Sequence, residues 1–198
     1  MRVENIVITA VGAVAFILLM IGMFTPSVSQ EDSGTVGGES YGGFTMPTQN
    51  YELKVTTDFW GLHQEINGDS SDTSWFDSEA DDADGIGALR TAPILLVVGL
   101  VAFLTGTVLV ATMQRHFAGT WVMLAGATVV LAAVITHVVG IGQLYGDQDP
   151  EWGAGIVLAW IGASLAILSG IGAPVVGVER IREGREGLRR GRRDPIPR

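Results

Sequence analysis

The sequence predicts a mainly α membrane protein, a bundle of four transmembrane helices with a small antiparallel β-sheet formed by the first extracellular loop. Three observations predict it. Segments 5–24, 92–113, 117–142 and 155–176 are nearly free of charge, and runs of about 20 apolar residues are long enough to cross about 30 Å of hydrocarbon as helices. Basic residues gather at the two ends and in the short middle connection, while acids fill the other connections. The one polar stretch long enough to fold, 26–88, contains residues that alternate between apolar and polar, as a half-buried strand does.

The four runs are apolar all round, with Gly, Ala, Ser and Thr scattered through them, whereas a soluble helix would carry a polar stripe. The net charge of -9 conceals a strong segregation. Segment 26–88 holds thirteen acids against the single Lys54, and 179–198 holds eight Arg against four acids. Since Lys and Arg near span ends are retained in the cytoplasm, Arg2, Arg115 and the Arg-rich tail predict a multi-pass protein of the cell membrane with both termini cytoplasmic. Dense carboxylates with one Lys also suggest an exterior adapted to high salt, where repulsion between acids is screened.

Taken in order, residues 1–25 form the first transmembrane helix. A cleavable signal is the alternative, with Pro26-Ser27-Val28-Ser29 offering small residues at the cut. Residues 26–88 form the acidic extracellular loop. Within it 30–43 is rich in Gly, Ser and acids and is expected to be a loop. Strands are expected over 51–57 and 60–66, and Asn67-Gly68 reverses the chain toward a third strand at Ser74-Trp75-Phe76. The acids of 77–84 lack the alternating Asp and Gly of a calcium loop and are expected to be solvated. The second span, 89–113, places Pro93 in its first turn, where a missing N–H costs nothing. Residues 114–142 supply a short inner loop and the third span, 143–154 the second extracellular loop, 155–178 the fourth span and 179–198 a basic cytoplasmic tail, in which Gly184 and Gly187 weaken a long helix.

The residue types bound the chemistry. With no Cys, disulfides, thiolate metal sites and Cys nucleophiles are excluded. His63, His116 and His137 fall in three different compartments of this layout and cannot gather in one site. No phosphate loop, zinc motif or nucleophile elbow is present, and the spans lack the paired acids or Arg of a transporter. Neither an enzyme nor a bound metal or cofactor is expected, and no small-molecule substrate is evident. The Arg-rich tail suits anionic headgroups, and with no aromatic interleaving it does not suggest nucleic acid. His137, alone in its span, is expected to be neutral and hydrogen-bonded. Trp121, Tyr145, Trp152 and Trp160 lie near span ends, where an aromatic belt is expected.

Several short elements resemble those of the claudin and peripheral-myelin-protein-like tetraspan family. Trp60-Gly61-Leu62 is similar to the Gly-Leu-Trp element of the claudin first outer loop, Leu89-Arg90 to the Arg-containing junction into the second span, and Glu151-Trp152-Gly153 followed by Trp160 to the Glu-x-Gly and Trp pairing at the start of the fourth. His63 stands where the family element has its Trp, and the paired outer-loop cysteines are missing. Strand pairing and an aromatic cluster of Phe59, Trp60, Trp75 and Phe76 would then have to hold the sheet, with Trp60 and Leu62 anchoring it on the helix ends. The resemblance implies a structural protein in the lipid bilayer that mediates lateral assembly or cell-cell contact through its loops, by self-association or with another membrane protein. The alternative is an accessory subunit that modulates a channel, transporter or envelope complex.

Overall fold

Long apolar runs satisfy their backbone N–H and C=O groups most simply along their own axis, and all four predicted spans are helical. The structure is a computed structural model that describes residues 3–36, 40–41, 44–45, 48–77, 84–112, 117–146 and 150–191. Among these residues lie four long helices, α1 (Val3–Met23), α2 (Ile86–Thr112), α3 (Phe117–Tyr145) and α4 (Ala154–Gly191). Each contains a segment long and apolar enough to cross a membrane. Two bounds differ from expectation. Helix α2 begins at Ile86, so Pro93 lies in the helix interior and not in its first turn, and the Leu89 carbonyl loses the donor it would have had four residues on. Helix α4 continues to Gly191, because the Arg, Glu, Leu and Ile of that stretch are good helix formers and outweigh two glycines at about 1 kcal/mol each.

Between α1 and α2 lie β1 (Val28–Val36), β2 (Ser40–Tyr41), β3 (Phe44–Thr45), β4 (Gln49–Thr57), β5 (Gly61–Ile66) and β6 (Asp69–Ser74), and between α3 and α4 lies β7 (Glu151–Trp152). Five of them form an antiparallel sheet in the order β6-β5-β4-β1-β7, and β2 pairs with β3 separately. Strands β4 and β5 lie where the alternation predicts them. The loop expected over 30–43 is instead mostly strand: β1 pairs with β4 over nine residues, Val28 with Thr57 through Val36 with Gln49. Here a partner strand overrides the weak intrinsic preference of Ser, Asp and Gly. The third strand also falls earlier than Ser74-Trp75-Phe76. Asn67 and Gly68 both have positive φ, 52° and 89°, the two-residue turn whose twist suits a hairpin, so pairing resumes at once from Asp69 opposite Ile66 and is complete at Ser74 opposite Gly61.

The chain divides into two compact units, one of Met1–Ile17, Leu96–Leu131 and Ile161–Arg198, the other of Leu18–Leu95 and Ala132–Trp160. In the first, α2 and α3 run antiparallel and approach through glycines seven residues apart, Gly99 and Gly106 on one, Gly119 and Gly126 on the other. A Cβ on Gly106 would strike the Met123 backbone, and one on Gly126 the Phe103 backbone. Small residues let helix backbones come this close, and Phe103, Met123, Ala127 and Val130 fill the core beside them. The second unit contains the sheet.

Candidate interaction surface

Side chains alternate between the two faces of a strand, so the register sorts the sheet into an inner and an outer face. The inner face begins with a row across all five strands: Thr73, Leu62, Thr57, Val28 and Trp152. Val28 is fully buried with Trp75, and with Leu89 of α2 and Ile141 of α3, while Leu62, Ile86, Leu144 and Tyr145 pack around them. The buried Thr57 hydroxyl shares a 2.9 Å hydrogen bond with the Tyr145 hydroxyl. Beneath the row, Ser27 N–H donates to the Thr57 carbonyl at 2.7 Å, and Gly153 N–H to the Ser27 carbonyl at 2.8 Å.

The turn between β4 and β5 drives a ring into this seat. Phe59 is wholly buried and stacks on His137 of α3, with centroids 3.9 Å apart. His137, equally buried, shares a 3.1 Å hydrogen bond through Nε2 with the Ser27 hydroxyl, while its Nδ1 is buried with no hydrogen-bond partner among the described residues. Trp75 is 2 % exposed, and its indole N–H donates to the Asp58 carbonyl. Phe59 and Trp75 are the rings buried in the seat, beside Trp60 and Leu62, which were expected to anchor it on the helix ends. Leu62 packs against the cluster from its rim. Trp60 is half-buried and stacks on Phe24 at the end of α1, and Phe76 faces outward.

The other expected residues fall around the same seat. Arg90 donates through its guanidinium to the carbonyls of Trp75 and Asp77, fixing the chain as it leaves β6. Gly61 lies so close to β6 that a Cβ would meet the Thr73 carbonyl, and Gly153 so close to the connection between α1 and β1 that a Cβ would meet the Pro26 carbonyl. Glu151 pairs with Ser29 at the sheet edge, and Trp160 is partly exposed on α4. Residues 78–83, most of the acidic run, and the inner-loop His116 lie outside the described residues.

The outer face is polar. Glu151, Ser29, Thr56, His63 and Asp72 form one row across it, and Glu31, Lys54, Glu65 and Ser70 the next. Lys54 Nζ meets Glu31 Oε1 at 2.7 Å, which lowers the Glu31 pKa and raises that of Lys54. His63 sits between Asp72 and Asp58, and the hydrogen bond to Asp72 does most to raise it above the ordinary histidine value, against partial burial. Among the described residues, no three His, Asp or Glu side chains are placed to hold a metal ion.

Asp58 is the residue of this surface that pattern reading passed over. Its Oδ1 accepts the N–H groups of Trp60 and Gly61 at 2.7 and 2.9 Å, and an Asp at the first position of a four-residue turn with Gly at the fourth is a usable turn signal. No such signal could have paired Phe59 with His137, whose contact is purely tertiary. Comparison of the chain with protein-family models and with curated proteins found no match.

Proposed function

We propose that this chain is a four-span membrane protein, distantly related to claudins and peripheral myelin proteins, with the sheet outside, both termini inside, and a structural function exercised through contacts. The observation that carries this reading is the division of labour in the sheet. One face is rooted on apolar helices by Val28, Phe59 and Trp75, and the other offers Glu31, Lys54, His63, Glu65 and Asp72 to a partner. The acid-rich charge of 26–88 and the basic tail favour this orientation by the retention of basic residues inside. The partner is a second copy in the same membrane or on a facing cell.

Facing acidic surfaces repel unless salt or a divalent cation screens them, so assembly should rise with ionic strength. Crosslinking in the native membrane tests the reading. A ladder of self-products supports assembly, and a single heterologous band would replace it with the accessory-subunit reading. Unchanged self-association after replacement of 26–88 by an inert linker would remove the role of the sheet.

A further inference from the structure

On the outer face three side chains from three different segments converge. Asp58 comes from the turn after β4, His63 from β5 and Asp72 from β6. His63 Nδ1 lies 2.7 Å from Asp72 Oδ1, and Nε2 lies 3.2 Å from Asp58 Oδ2. Both ring nitrogens thus face carboxylate oxygens. A neutral imidazole has one N–H and one lone pair, and only the imidazolium can donate to both sides. The carboxylate of Asp58 is held from its other side as well, since its Oδ1 accepts the backbone N–H groups of Trp60 and Gly61.

The surroundings favour the charged ring. From β4, uncharged Thr56 stands directly across from His63, with Lys54 two residues along and already engaged by Glu31. From β6 the residue across is Asp72, flanked on its face by Ser70 and Ser74. Along β5 the next residue on this face is Glu65. With 45 % of its side chain exposed, His63 exchanges protons directly with solvent.

We propose that Asp58, His63 and Asp72 form a pH-operated clasp that ties the turn carrying Phe59 and Trp60 to the outer strand β6, closed while His63 is protonated and opened when it is not. The proton leaves from Nε2, on the longer contact, to a base in solvent, and Nδ1–H stays on Asp72. The Nε2 lone pair then opposes Asp58 Oδ2, the carboxylate turns away, and the Trp60 and Gly61 amides lose their acceptor. The two carboxylates raise the His63 pKa, so the clasp is complete below about 6.5, the ordinary histidine value, and is lost as pH rises through the raised one. It acts within the sheet, whatever the sheet contacts.

Amide hydrogen exchange of Trp60 and Gly61 in the full chain in lipid nanodiscs, corrected for intrinsic pH dependence, tests the clasp alongside a 15N titration of His63. Protection should fall several-fold in one step that coincides with the His63 titration. In His63→Gln the step should vanish, and in Asp72→Asn it should move to lower pH. A wild-type profile without a step, a step that persists in His63→Gln, or an unmoved midpoint in Asp72→Asn would each overturn the proposal. The Asp72→Asn comparison decides the matter alone if His63→Gln does not fold.

Discussion

The Phe59 ring lies nearly flat on the His137 imidazole, with the planes inclined by 14°, and this contact joins the turn of an acidic sheet to the interior face of an apolar helix. Truncating a fully buried Phe costs about 3–5 kcal/mol. Phe59→Ala should therefore lower the melting point of the sheet more than Trp60→Ala does, because Trp60 is only half-buried. Circular dichroism melts of both variants check the order, and a larger loss for Trp60→Ala would restore Trp60 as the anchor.

The glycines of α2 and α3 are not equivalent. A Cβ on Gly126 would collide with the Phe103 backbone, whereas one on Gly142 meets nothing. Gly126→Ala should destabilise by about 1–3 kcal/mol through overpacking. Gly142→Ala should stabilise by about 0.5–1 kcal/mol through reduced chain entropy. Denaturant titration in mixed micelles measures both signs.

Arg90 holds two carbonyls with a planar fork, and hydrogen bonds from a charged donor contribute about 1.5–3 kcal/mol each where they are sheltered. Arg90→Lys should recover little of the loss in Arg90→Ala, since an ammonium cannot reproduce the fork. Thermal melts of the two variants provide the check, and full rescue by Lys would show that charge alone matters.

The Asn67-Gly68 turn makes a sharper demand, because Gly68 has φ of 89° and open space around it. Gly68→Ala should cost about 1–2 kcal/mol from backbone strain alone, without any steric clash. Exchange rates at Ser70 and Ser71 should rise with it. By contrast, the solvent-exposed Lys54 and Glu31 pair should be dispensable, and Lys54→Gln should leave the melting point within error at moderate salt.

The helices were legible because each writes its length directly as an uninterrupted apolar run. Strand β4 was legible through its alternation, and the hairpin beside it through Asn67-Gly68. Strand β1 was not, since Gln30, Glu31, Asp32, Ser33 and Gly34 are poor strand formers and become a strand only against β4. Strand β7 is two residues long, below any periodicity. In the candidate site, Phe59, Trp60, Trp75 and Phe76 were expected as one cluster, whereas only Phe59 and Trp75 are buried and Phe59 and Trp60 stack on other rings, a choice that composition does not carry. That choice depends on where the turn after β4 meets α3, a distance of 78 positions in sequence between Phe59 and His137.

The order β6-β5-β4-β1-β7 has a consequence in time. Strand β1 is synthesised first, yet one side of it waits for Glu151 and Trp152, which emerge more than a hundred residues later. Throughout that interval the edge at Val28 and Ser29 presents unpaired backbone groups, the feature by which sheets recruit foreign strands. Chains stalled before residue 151 should therefore bind a holdase chaperone through Val28 and Ser29, and chains long enough to bring Trp152 clear of the ribosome should release it. Pulldown of the two stalled species gives the comparison, and equal capture of both would assign the waiting edge no role in biogenesis.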